Sequence, residues 1–171
     1  MTNIADFFDL DWSCVQSPHD LDYAKEAAER IIRAMRDGEK VAMLVDVDVD
    51  GFTSSSLLTN YLNQQMKEYG SFPDSKMEIV HIFHEKKTHG LGDAKAMRQV
   101  RDEIKPTLLI VPDASGTAEQ YQGLVNIGVD VVVIDHHDTK ERGDGEKVIV
   151  VNNQQSDKYR NKALSGVGVT W

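Results

Sequence analysis

The chain has 171 residues, 40% hydrophobic and 27% charged, a composition that fits one soluble globular domain and excludes a disordered chain poor in apolar residues. Its single cysteine, Cys14, excludes an internal disulfide and a thiolate zinc site and points to a reducing compartment. A formal net charge of -9 opposes binding to a polyanion, yet two divalent ions held by carboxylates would bring the total to about -5, so charge alone leaves the partner open.

The N-terminus, MTNIADFFDLDW, has no basic region and no long apolar core, and no later run reaches membrane-spanning length. The expectation is a cytoplasmic protein without a membrane partner. No internal repeat or low-complexity tract interrupts the pattern. The first predicted element is a helix capped by Ser17, with Pro18 in its first turn and Asp20 completing a capping-box-like pattern. Leu21, Ala24, Ala28, Ile31 and Met35 form its apolar stripe, and Gly38 is its stop.

Val41 to Val45 is then a short continuous apolar run, the mark of a strand covered on both faces of a parallel sheet. Similar runs recur at Met77 to Phe83, Thr107 to Val111, Val129 to Ile134 and Val148 to Val151, with helical patterns near Thr53 to Tyr69, Asp93 to Ile104 and Thr117 to Ile127. This alternation predicts an α/β fold, with a mainly parallel sheet of about five strands flanked by helices on both faces. Such sheets bind ligands beyond the carboxyl ends of their strands, so the informative residues follow each apolar run.

Those residues are Asp46, Asp48 and Asp50 after the first run, Asp113 after the third, and Asp135, His136 and His137 after the fourth. If the first segment is extended, its alternating aspartates point to one side while Val47 and Val49 face apolar packing. Carboxylates so crowded repel one another unless a cation is present, and carboxylate oxygens joined by imidazole suit Mn²⁺ or Mg²⁺. A calcium loop is the rival reading of DVDVDG, but its twelfth position requires glutamate and holds Leu57.

The motifs DVDVDG, IVPDASG and VIDHHD, with the ending VVNNQQ...KALSGVGVTW, together resemble the DHH phosphoesterase superfamily, and within it the RecJ-like single-strand-specific exonucleases. The likeness spans Val41 to Trp171. It implies metal roles for Asp48, Asp50, Asp113 and His136 toward two Mn²⁺ or Mg²⁺ ions, with Asp46 and His137 as supports or alternates, and leaves Asp135 either a ligand or an orienter of histidine. The implied catalytic set is Asp48, Asp50, Asp113, His136 and His137.

Gly51, Thr53 and Ser54 stand at a helix start, where they are either a phosphate seat or plain caps. In HEKKTHGLGD, Lys86 and Lys87 read as a solvated loop, while His89 and Gly90 loosely match a family motif and are further phosphate candidates. Asp113-Ala114-Ser115-Gly116 departs from the family's shorter turn. The family's last metal-binding aspartate lies beyond the glycine-rich segment, so the expectation is a DHH domain over residues 1–171, truncated at its C-terminal end and weakly active or inactive by itself.

Three functions follow as expectations. The RecJ likeness implies 5'-to-3' exonuclease action on single-stranded DNA, in repair and recombination. The same metal core also serves phosphoesterases of short oligonucleotides, cyclic dinucleotides or pyrophosphate. The superfamily further includes non-catalytic replication factors, against which the intact acids and histidines argue.

Overall fold

The computed structural model describes residues 15–67, 70–84 and 90–171. Cys14, Lys86, Lys87 and His89, and the expected helix end at Tyr69, lie outside the described residues. Five parallel strands form one sheet, β1 (Lys40–Val45), β2 (Glu78–Phe83), β3 (Leu108–Pro112), β4 (Asp130–Asp135) and β5 (Val148–Asn152), in the order β2-β1-β3-β4-β5. Each expected apolar run is one of these strands, with ends shifted by at most one residue.

The helices are α1 (Ala24–Asp37), α2 (Val49–Gln65), α3 (Ala94–Arg98), α4 (Ala118–Asn126) and α5 (Gly166–Thr170). Alternate strand residues feed two cores. Val41, Met43, Ile110 and Val132 pack with Ile31 and Met35 of α1, Leu58 and Leu62 of α2, and Val169 of α5. Ala42, Leu44, Leu109 and Val131 pack on the other face with Ala96 of α3 and Tyr121 and Leu124 of α4. Helices on both faces explain why the strands read as continuous apolar runs instead of alternating ones. Each large side chain fully buried here contributes about 1.5–3 kcal/mol relative to exposure.

Local signals worked unevenly. Gly38 ends α1 in the left-handed region at φ 68°, as expected. Ser17, however, caps only a separate 3-10 turn, Pro18–Asp20, and left-handed Tyr23 intervenes before α1 begins. The stripe is correspondingly shifted: Ala27 and Ala34 are buried while Ala28 is exposed. Asp93 caps α3, its Oδ1 accepting from Lys95 N at 2.9 Å and Ala96 N at 3.1 Å, and α3 continues into a π-helical turn, Gln99–Ile104. Thr117 and Gln120 make a capping box on α4.

The amino ends of the strands are tied by Arg30, 5% exposed on α1. Its Nε donates to Asp130 Oδ2 at 2.7 Å, and its other nitrogens donate to Glu39 at 3.1 and 2.8 Å and to the Thr107 carbonyl at 3.4 Å. Thr107 Oγ1 also donates to Glu39. One buried guanidinium therefore gathers the entrances of β1, β3 and β4, leaving their opposite ends to build a site.

Candidate metal centre

The strand order reverses direction between β1 and β3, the place where open α/β sheets leave a crevice at their carboxyl ends. Asp46 and Asp113 follow these two strands, and both are 1% exposed. Asp46 Oδ1 accepts from Val47 N at 2.8 Å and lies 3.1 Å from His84 Nδ1. Gly51 closes over it: a Cβ there would come within 2.6 Å of the Asp46 Cβ, so only glycine permits this approach.

The extended reading of the aspartate run is corrected here. The strand stops at Val45, and Asp48 is already the N-cap of α2, its Oδ1 accepting from Gly51 N at 3.0 Å. Val49, expected against apolar packing, is 79% exposed. Capping supplies a partner to an unpaired helix N–H, and this outweighs continuation of the strand.

Asp113 takes up the left-handed conformation at φ 60°, which aspartate tolerates better than most residues, and its N–H donates to the Ile134 carbonyl at 2.8 Å. Its Oδ1 lies 3.2 Å from His136 Nε2 without hydrogen-bond alignment, and has no hydrogen-bond partner among the described residues. Burial first, then the charges of Asp50 and Asp48, push the Asp113 carboxyl up to about 8, with His137 pulling the other way.

Asp135 ends β4 with no exposed surface. Its Oδ1 accepts from His136 N at 2.8 Å, His137 N at 3.3 Å and His137 Nδ1 at 2.7 Å. This contact orients the His137 ring: with Nδ1–H given to Asp135, the lone pair of His137 sits on Nε2, the arrangement metal-ligating histidines use, while Asp135 Oδ2 is buried without a hydrogen-bond partner among the described residues. Burial works to lower the proton affinity of His137, but the Asp135 hydrogen bond and charge leave it raised. From β5, Asn152 Nδ2 donates to the His137 carbonyl at 3.0 Å and secures the turn.

Two groups of ligand atoms result, each within 4.8 Å: Asp46 with Asp48 and Asp113, and Asp113 with His136 and His137. Asp113 belongs to both. A buried, partnerless carboxylate oxygen whose neighbours are carboxylates fits a divalent cation, and the oxygen-plus-imidazole donor set fits Mn²⁺ or Mg²⁺. Asp50 stands outside both groups. Its oxygens accept from Gly166 N at 2.7 Å and Val167 N at 2.8 Å at the start of α5, and its Oδ2 lies 3.6 Å from His136 Nε2.

Residues 40–171 match the family model described as DHH family, N-terminal domain. The chain belongs to the DHH family. Among curated relatives it is 34% identical over 166 residues to YorK of Bacillus subtilis (strain 168), named as a prophage-derived single-strand DNA-specific exonuclease, covering 96% of this chain and 26% of that protein. It is 27% identical over 172 residues to the single-stranded-DNA-specific exonuclease RecJ of the same organism, covering 99% of this chain and 20% of RecJ. The DHH-family chain therefore spans about a quarter or less of these relatives. In fold it resembles a crystal structure of exonuclease RecJ bound to manganese, with a TM-score of 0.68 at 22% identity over 91% of this chain and 37% of that one.

The phosphate candidates of this DHH-family chain fare differently. The Gly51 N–H is given to Asp48, Thr53 Oγ1 donates to the Val49 and Asp50 carbonyls at 2.7 and 3.0 Å, and Ser54 Oγ donates to the Asp50 carbonyl at 2.7 Å. Each proton goes to a protein oxygen, so in this conformation none is offered to phosphate, and the plain structural reading fits all three. Gly90, at φ 68°, packs so tightly on Ser115 that a Cβ would meet its carbonyl oxygen at 1.5 Å; it shapes the loop after Asp113.

Sequence reasoning missed His84, whose side chain has no exposed surface and whose Nε2 has no hydrogen-bond partner among the described residues. The signal was present: His84 is the first residue after β2, the position that proved informative after β1, β3 and β4. Asn152 was equally legible as the polar residue ending the last apolar run.

Proposed function

We propose that this domain hydrolyses phosphodiester bonds of single-stranded DNA from the 5' end, using two divalent ions, Mn²⁺ or Mg²⁺. The observation that carries the reading is the sharing of buried Asp113 between two groups of ligand atoms. Asp46 and Asp48 would hold one ion with Asp113, and His136 and His137 the other with the same carboxylate. Bound together, such ions lower the pKa of a water molecule and neutralise charge on the attacking and leaving oxygens.

The protein's own part is to hold these donors in place and aim them. Asp135 fixes the His137 tautomer, Asn152 holds the turn behind it, and His84 supports Asp46. Asp50 couples the same rim to α5. The names of YorK and RecJ support single-stranded DNA as the substrate class.

The test is hydrolysis in Mn²⁺ of 5'- and 3'-labelled single strands, duplex DNA, a dinucleotide and pyrophosphate. The expected result is release from the 5' end of single strands, even if weak, without duplex cleavage, and its loss in Asp113→Ala. Activity confined to pyrophosphate or dinucleotides would replace the DNA reading with that of a small-substrate phosphoesterase.

A further inference from the structure

Phe52 in the first turn of α2 and Phe83 at the end of edge strand β2 form a stacked pair, with ring centroids 5.9 Å apart and planes 27° apart. Both rings face water, at 45% and 54% exposure. Val49, three residues before Phe52 and hence on the same helix face, is 79% exposed. Three large apolar side chains thus stand in solvent along one rim, although the sheet beneath has two well-filled cores.

The pair is tied to the candidate metal centre from both sides. Phe52 follows Gly51, whose backbone packs on Asp46, and the Phe52 N–H donates to the Asp48 carbonyl at 3.0 Å. Phe83 precedes His84, whose ring contacts Asp46. Both rings are therefore anchored through neighbours that touch one ligand candidate, and the patch is continuous with the centre.

We propose that Phe52 and Phe83 form a platform on which a base of a single-stranded nucleic acid stacks, next to the phosphate at the carboxylate rim. The inference rests on the function proposed above and adds a determinant of strand selectivity to it. A net charge of -9 opposes attraction to phosphates, whereas a base face is uncharged and stacks on an aromatic ring without charge complementarity. Inside a duplex each base face is covered by its neighbours, whereas an unpaired strand can turn its bases outward and present them. Every base has such a face, so the contact is tolerant of sequence. A base held between two rings needs about twice the ~3.4 Å base spacing, more than the 5.9 Å between these centroids, so the base stacks on an outer face of the pair.

The test compares binding of a nuclease-resistant phosphorothioate oligothymidylate with that of an abasic oligomer of the same length and charge, by fluorescence anisotropy in Mn²⁺. The wild type is expected to prefer the oligomer with bases. Phe52→Ala and Phe83→Ala should each weaken it by about 5- to 150-fold, the range for loss of one aromatic stack, while leaving the abasic oligomer unchanged; Phe83→Trp should keep the preference. Because both rings are exposed, the variants should keep the wild-type melting temperature, which checks folding. Equal wild-type affinity for the two oligomers, or parallel loss of both in the alanine variants, overturns the platform. A concentration-dependent dimer in sedimentation that Phe52→Ala dissolves overturns it too, assigning the patch to a second copy of the chain. Phosphodiester hydrolysis without base preference removes the platform alone; absence of both binding and hydrolysis removes the proposed function with it.

Discussion

At Asp113 the chain accepts a left-handed backbone, near-complete burial and two neighbouring carboxylates at one residue. Its carboxyl is pushed up to about 8 from an ordinary 3.8, so between those values the folded state holds a proton that the unfolded state has lost. The contribution of Asp113 to stability without metal is therefore full below pH 3.8 and declines as pH rises to about 8. Urea melts across that range should show this slope, and Asp113→Asn, which keeps a residue tolerant of positive φ, should flatten it and be the more stable protein at pH 8 by at least about 1 kcal/mol. Unchanged pH dependence in the variant would refute the assignment. His84 gives a second prediction at this scale. His84→Ala should weaken Mn²⁺ binding about 10- to 100-fold in calorimetric titrations, with His84→Asn, which preserves a donor near the Nδ1 position, recovering most of it. Equal losses in both variants would mean that His84 only fills space. The aspartates and the histidine pair were legible because each follows an apolar run. His84 also follows an apolar run, but its pairing with a carboxylate 38 positions away leaves no local pattern, so its position was legible and its supporting contact was not.

Among the elements, α5 is held less by its own five residues than by Asp50, whose oxygens take its first N–H groups, and by Gly166, which lies against Asp113. A Cβ at Gly166 would sit 2.2 Å from Asp113 Oδ1, so Gly166→Ala must displace either α5 or the carboxylate. The expected outcome is a stability loss of about 1–3 kcal/mol with at least tenfold weaker Mn²⁺ binding, read by thermal melts and titration. Normal metal affinity would show that α5 moves while Asp113 stays. At the other end of the sheet, Arg30→Met should cost about 3–5 kcal/mol because it leaves Glu39 and Asp130 without their buried cation. Burial works to raise Glu39, but hydrogen bonds from Arg30 and Thr107 leave it below its ordinary 4.5. Its stabilising share is thus present above that value and lost as pH falls through the lower folded one, and the variant should lose this acid sensitivity.

For the whole molecule, cation binding and folding are coupled, since the centre unites residues that follow β1, β3 and β4 with the N-cap of α2. At 100-fold excess over its dissociation constant, Mn²⁺ should stabilise by about 2.7 kcal/mol and raise the melting temperature by roughly 5–10 °C. Asp113→Ala should abolish the shift, and a shift of equal size in that variant would place the ion elsewhere. The sequence by itself determined the α/β class, the parallel strands and the chemical identity of the rim, because apolar runs of strand length and the polar residues after them are local properties. It misjudged the start of α2, where an N-cap at Asp48 prevailed over strand alternation, and it left Thr53 and Ser54 open between a phosphate seat and helix caps, where their hydroxyls return to their own helix. Only the tertiary structure decided that Asp113 is shared, that Asp50 reaches Gly166 across 116 positions, and that Phe52 and Phe83 meet in solvent. The physical reason is the same in each case: burial, charge crowding and hydrogen-bond pairing depend on which distant segments the sheet brings together.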